Sequence, residues 1–291
     1  MSTKKVEIIA QPQQPHFVGD GFRVHNFIPS SFGLDMKRMD PFIMLDYNSK
    51  FHFSGTDTPR GVGVHPHRGF ETVTIAYQGK VEHNDSAGGG GIIGEGDVQW
   101  MTAASGVLHK EFHETDWAKQ GGIFQMVQLW VNLPAKDKMS PPKYQAISNA
   151  EIKKIDLGEN GTVEVIAGEY NAVKGPGTTF SPVHLMNAKL KTSGKAEFNF
   201  PPNFSTAALV IEGNVIVNGE EKVATDHFAL FEKEGETFTI EATENSVVLI
   251  LSGEPLNEPI FSHLPFVMNS REEIVRAFDD YNNGKFGYLE D

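Results

Sequence analysis

Five of the eleven histidines fall between positions 65 and 113, and two short motifs among them have the spacing of metal ligands. His65 and His67 form H-P-H, and His109 and Glu111 form H-K-E. On a β-strand, residues i and i+2 project from the same face. Each motif therefore aims two ligating atoms into one interior, and two such strands supply three imidazoles and a carboxylate. That donor set suits Fe(II), Mn(II), Ni(II), Co(II) or Zn(II). Four ligands on an octahedral ion leave two positions for substrate or O₂. A closed structural zinc site more often uses thiolates, and this chain has no cysteine. A single H-x-H arises often by chance; the weight comes from a second pair behind the turn S-G-V-L-H-K-E. Other residues nearby compete for a role. His113 shares the 109/111/113 face and is expected at the cavity rim or surface, whereas His83 reads as structural. Trp100 and Phe70 either wall the pocket or pack the core.

Those motifs need strands to hold them. Short apolar or alternating runs bounded by Gly, Pro, Asn and Asp recur along the chain, near 40–46, 70–77, 80–84, 97–102, 107–113 and 123–131. A second series lies near 161–168, 183–190, 195–200, 206–212, 214–218, 227–231, 236–241 and 246–252. This pattern reads as an antiparallel sandwich or barrel, and 29 glycines with 16 prolines fit a turn-rich β protein. The stretch starting at Leu133, LPAKDKMSPPKYQAIS, is rich in Pro and Lys. It divides the chain into a first unit over 1–134, a linker over 135–150 and a second unit over 151–291. One helix is signalled near the end: Ser270 as N-cap with Glu273 completing a capping box, Ile274, Phe278 and Tyr281 on one face, and Gly284 just past the terminus. It is expected to pack against a sheet. The two series resemble a worn repeat. TVTIAYQGKVEHN (72–84) is similar to TAALVIEGNVIVN (206–218), with Gly79 and Gly213 both at a hairpin turn.

Charge and composition narrow the partners. The net charge is −13; residues 1–150 carry 14 basic and 15 acidic side chains, and residues 151–291 carry 11 and 23. Neither half offers the basic field that direct nucleic-acid binding needs, and the acidic half opposes an anionic membrane. The apolar runs are too short to span a bilayer. No secretory signal is visible at the start of the sequence, and the lack of cysteine fits a reducing cytosol, so a cytoplasmic protein is expected. The run G-G-G-I-I-G (89–94) has the form G-x-G-x-x-G, but strand-like DVQWM follows it, not a helix whose N-terminus could hold a phosphate. No G-x-S-x-G elbow supports a hydrolase.

The segment G-V-H-P-H-R-G-F-E-T-V-T-I (63–75), followed by G-D-V-Q-W-M-T-A-A-S-G-V-L-H-K-E (96–111), resembles the pirin family. So do G-E-P-L-N-E-P-I (253–260) and P-F-V-M-N-S-R-E-E-I (265–274). The resemblance implies an all-β bicupin: two antiparallel cupin barrels face to face, with metal in the first and a short C-terminal α-helix. It implies His65, His67, His109 and Glu111 as ligands, and Fe(II) as the metal ahead of Mn, Ni, Co or Zn. In many cupins the glutamate of the first motif is itself a ligand; that residue is Glu71, expected here beside the ligands rather than on the metal. With Gly79 set against Gly213 and Gly106 against Gly235, His65, His67, His109 and Glu111 become Asn199, Pro201, Phe238 and Ile240, so the second unit lacks the ligand set.

The activity implied by the resemblance is oxidative cleavage of a flavonol such as quercetin by O₂, in a monomer, with Glu111 or Glu71 as general base for the 3-hydroxyl and aromatic walls stacking the planar substrate. The alternative is regulatory: some pirins resemble proteins that bind a protein partner under control of the metal's redox state, with little or no catalysis.

Overall fold

The computed structural model describes residues 2–30 and 33–290. Two seven-stranded antiparallel sheets dominate it. The first runs Lys143–Ile147, Val98–Thr102, Phe70–Gln78, Gly121–Asn132, Phe42–Ser54, Phe22–Ile28, His16–Val18. The second runs Val6–Ala10, Phe228–Phe231, Ser205–Glu212, Ser246–Gly253, Val183–Leu190, Gly161–Ala167, Lys153–Asp156. Each large sheet faces a small four-stranded one. The first small sheet is Gly61–His67, Val107–His113, Val81–Asp85, Gly90–Ile93. The second is Lys195–Asn199, Thr237–Ala242, Val215–Val217, Glu221–Val223. The two units thus repeat one another strand for strand. They are cupin-like but not closed barrels: among the described residues large and small sheets share no ladder, and side chains packed between two faces close each unit instead.

The period-2 alternation decides what each face does. On Phe70–Gln78, Val73, Ile75 and Tyr77 point to the junction between the large sheets, where they meet Leu209, Phe228 and Leu249 of the other unit. Phe70, Thr72, Thr74 and Ala76 point the other way, into the first unit. The junction is apolar at its centre, and polar ties cross it: Tyr47 Oη donates to Asp226 at 2.7 Å, and Tyr77 Oη to Asn187 at 2.8 Å.

The units exchange their ends. Val6–Ala10, counted with the first unit from the sequence, pairs with Phe228–Phe231 of the second. Lys143–Ile147, read as linker, is an edge strand of the first sheet. Both segments are short apolar-alternating strands that cover an exposed edge. The helix Arg271–Asn282 starts at Ser270, whose hydroxyl accepts from Glu273 N at 3.2 Å, while Glu273 reaches back to Asn269 N at 3.0 Å. It does not lie on a sheet of the second unit. With Phe266, Met268 and Phe286 it packs over Leu108 of the first, and Asp280 takes a 2.9 Å ion pair from Arg68. The last segment of the chain therefore returns to the first unit beside His67.

Candidate metal centre

Strands Gly61–His67 and Val107–His113 are antiparallel neighbours in which His65 lies opposite His109 and His67 opposite Val107. This register brings three imidazoles together. Ring centroids are 4.2 Å apart for His65 and His109, 4.7 Å for His67 and His109, and 4.9 Å for His65 and His67. One nitrogen from each ring lies within 4.8 Å of the other two. Backbone carbonyls fix two of the rings: His65 Nδ1 is 2.8 Å from the Gly63 carbonyl oxygen, and His67 Nδ1 is 3.2 Å from that of Pro265. Both Nδ1 atoms donate there, which leaves Nε2 as the bare acceptor, as a metal-binding imidazole requires. His109 Nε2 is buried and has no hydrogen-bond partner among the described residues. Burial first, then the neighbouring rings, hold His67 and His109 well below the usual imidazole range, so both are neutral. Three clustered imidazoles, one with an orphaned buried nitrogen, fit a divalent cation.

The ladder is irregular between His109 and Glu111, so Glu111 sits opposite Val62. Its carboxylate is held from three sides. Gln99 Nε2 donates to Oε1 at 2.6 Å and Thr74 Oγ1 at 3.4 Å, and Gln128 Nε2 donates to Oε2 at 2.8 Å. Glu111 joins the histidines through a second triad, His83, His109 and Glu111. The four residues of the two motifs are thus brought together as two overlapping groups that share His109. His83, read as structural, belongs to the second: it is fully buried, Nδ1 is 4.0 Å from Glu111 Oε1, Nε2 is 3.4 Å from Asp85 Oδ2, and its ring stacks on Tyr144 at 5.1 Å. The signal that marks it is H-x-D at 83 and 85, the same period-2 spacing as the two ligand motifs.

Glu71 is not beside the ligands. It lies opposite Val131 and Thr102, shares its face with Val73 and Ile75, and accepts from Thr102 Oγ1 at 2.7 Å. That is the junction face of the large sheet, with the sheet itself between Glu71 and the histidines. His67 and Glu71 are close in sequence, but a turn at Arg68–Gly69 separates them onto strands of different sheets. His113 is neither rim nor surface. It is enclosed by Phe22, Phe53, Trp117 and Phe124, its Nε2 is 2.8 Å from the Gly21 carbonyl oxygen, and burial pushes its pKa down to about 4. Phe70 and Trp100 also separate. Phe70 is 5.0 Å from the His67 ring and stacks on Trp130, whereas Trp100 is junction core. The glycine run ends in strand Gly90–Ile93, and Asp85 accepts from Ala87 N and Gly89 N to shape the turn before it.

A cavity of about 40 Å³ adjoins the centre, with His65, Glu111, Gln128 and Asp46 as its polar lining and Phe22, Val24 and Met126 among its walls.

The second unit shows the same positions filled differently. Val215–Val217 pairs with Thr237–Ala242 as Val81–Asp85 pairs with Val107–His113, and Phe238 lies opposite Phe198 as His109 lies opposite His65. His65, His67, His83, His109 and Glu111 therefore correspond to Phe198, Phe200, Val217, Phe238 and Ile240. The first two differ by one residue from Asn199 and Pro201, because the turn after Phe200 is one residue longer than the turn after His67. Phe198 stacks on both Phe200 and Phe238, at 5.3 Å from Phe238, inside an apolar core.

Two cupin-like units, one with a His/Glu cluster able to hold a metal ion and one with a hydrocarbon core, define a bicupin. Residues 21–131 match the Pirin family profile, and residues 185–287 match the Pirin C-terminal cupin domain. The chain is 46% identical over 284 residues to a Pseudomonas aeruginosa protein provisionally named a quercetin 2,3-dioxygenase, covering 97% of this chain and 98% of that one. It is 38% identical to Pirin-1 of Arabidopsis thaliana, over 93% of this chain and 90% of that one. A crystal structure of quercetin 2,3-dioxygenase from Acinetobacter baumannii superposes with a TM-score of 0.93 at 49% identity, covering 99% and 100% of the two chains. The chain belongs to the pirin family.

Proposed function

We propose that the protein is a metal-dependent dioxygenase that cleaves a flavonol such as quercetin with O₂. The observation that carries this reading is the His65–His67–His109 cluster with its buried, unpartnered nitrogen, set in one unit while the twin unit holds phenylalanines at the same places. His65, His67, His109 and Glu111 would hold the metal, Fe(II) by the donor set and the family resemblance. When bound, that ion supplies Lewis acidity toward an oxygen of the substrate and a site for O₂. The chain's own residues do the rest. Gln99, Gln128 and Thr74 fix the Glu111 carboxylate, the Gly63 and Pro265 carbonyls fix two imidazoles, and Phe22, Val24 and Met126 supply apolar wall beside His65.

One observation favours a regulatory reading. The cavity at the centre, about 40 Å³, is far below the roughly 300–1,000 Å³ of small-molecule sites. A flavonol enters only if a wall yields, and the edge strand His16–Val18, paired on one side alone, is the wall able to do so. Oxygen uptake by iron-loaded protein with a panel of flavonols separates the two. Uptake matched to flavonol loss, and abolished in His67→Ala, supports the enzyme; no uptake with any flavonol supports the regulator.

A further inference from the structure

A flavonol 3-hydroxyl must lose its proton before the ring can be oxidised, and the two glutamates first considered as base are poorly placed for that. Glu71 faces the opposite side of the sheet, and both oxygens of Glu111 are engaged by side-chain donors. A third carboxylate lines the cavity: Asp46, on Phe42–Ser54, together with His65, Glu111 and Gln128.

Asp46 stands in a polar row that crosses five strands of the large sheet: Asn26, Asp46, Gln128, Thr74 and Gln99, each opposite the next. The corresponding row in the second unit is Val165, Met186, Ile250, Ala208 and Ala229, all apolar. The fold thus tolerates hydrocarbon at every place in this row, and polar residues occur only in the unit with the histidine cluster. Three of the five have a visible task, since Thr74, Gln99 and Gln128 hold Glu111. Asp46 has none of that kind. Asn26 Nδ2 donates to its Oδ1 at 2.7 Å, while burial raises its carboxyl above the ordinary range and makes it a better proton acceptor than a surface aspartate. A buried carboxylate is costly unless it is used or well paired. The titratable groups around it are His65 and Glu111 across the cavity, and His16, whose charge opposes the upward shift.

We propose that Asp46 is the group that accepts the substrate's hydroxyl proton. This rests on the flavonol reading above. The substrate O–H bond breaks, an O–H bond forms on an Asp46 carboxylate oxygen, and the electron pair stays on the substrate oxygen as an oxyanion; nothing is oxidised in this step. Asp46 is not a metal ligand in this assignment, so its removal leaves metal content unchanged.

The test is Asp46→Asn in the full-length, metal-loaded protein, with quercetin as probe. Under anaerobic conditions the absorption spectrum of bound quercetin reports whether its 3-hydroxyl is ionised. Wild type should bind the anion at a pH where free quercetin is neutral. Asp46→Asn should keep its metal by elemental analysis and bind neutral quercetin. In air its kcat should fall about 10²–10⁴-fold with little change in KM, and should recover as pH rises through the flavonol's own hydroxyl pKa, a rescue that a merely structural lesion would not show. An anion spectrum and normal kcat in metal-replete Asp46→Asn overturn the assignment alone. Wild type that neither binds nor consumes quercetin overturns the flavonol reading and this assignment with it. Should Asp46→Asn lose its fold or metal, Asp46→Glu carries the test: metal-replete Asp46→Glu should still bind the anion, and neutral quercetin there counts against the assignment.

Discussion

His67 shows how much one side chain at this centre depends on distant chain. Its Nδ1 is fixed by the carbonyl of Pro265, nearly two hundred residues away, and its ring rests against the stacked pair Phe70 and Trp130, 5.0 Å from each. Replacing it with alanine removes one ligand from the proposed site but no ladder bond. His67→Ala should lose most of its bound metal while its far-ultraviolet circular dichroism stays that of wild type. Stoichiometric metal in a folded His67→Ala, by elemental analysis, would remove His67 from the ligand set. The residue types and the i, i+2 spacing of 65/67 and 109/111 made this cluster legible in the sequence. What they could not convey was face. Glu71 is one residue from Thr72, and that single step moves a carboxylate from the histidine side of the sheet to the junction side. Asp46 was illegible for the complementary reason: its part in the site comes from cross-strand register, which no local motif encodes.

At the scale of strands, the repeat offers a controlled comparison, since the same ladder positions carry ligands in one unit and phenylalanine in the other. Phe238 is buried, stacked on Phe198 and 4.1 Å from the Phe231 ring. Truncating such a ring leaves a cavity in a close-packed core and costs about 3–5 kcal/mol. His109, its counterpart, is equally buried but has a nitrogen without a hydrogen-bond partner, so metal-free protein gains less from its presence. Phe238→Ala should therefore lower the urea midpoint of chelator-treated protein much more than His109→Ala does, and His109→Ala should abolish the extra stability conferred by metal. Equal losses in the two variants would mean that the histidine cluster is itself a packing core. The positions of most central strands followed from alternation and turn residues. The crossing of Val6–Ala10 to the far sheet did not, because a short apolar strand matches any open edge and its partner is settled by the tertiary fold.

The two units meet across one apolar junction, and the most consequential titratable group there is Glu71. Its side chain is almost wholly removed from water and receives the Thr102 hydroxyl; burial pushes its pKa from 4.5 up to about 7, with the hydrogen bond opposing. The sign of the consequence is fixed by linkage. An acid whose folded pKa is raised holds its proton in the native state at pH values where the unfolded chain has released it. Between about pH 4.5 and 7 stability therefore falls as pH rises, and above pH 7 the loss levels off. A shift of this size corresponds to roughly 3 kcal/mol, a sizeable fraction of the stability of an ordinary domain. Glu71→Gln keeps the shape and an acceptor for Thr102 but cannot ionise. It should match wild type near pH 4.5, exceed it at pH 8, and show a flatter stability profile between them, measured by urea unfolding at a series of pH values with metal both present and chelated. Because the sheet separates Glu71 from the histidines, metal content and oxygen uptake should be close to wild type. A Glu71→Gln profile that parallels wild type would mean that the carboxyl is already ionised within the junction, and a loss of turnover at full metal occupancy would return Glu71 to the reaction despite its place behind the sheet.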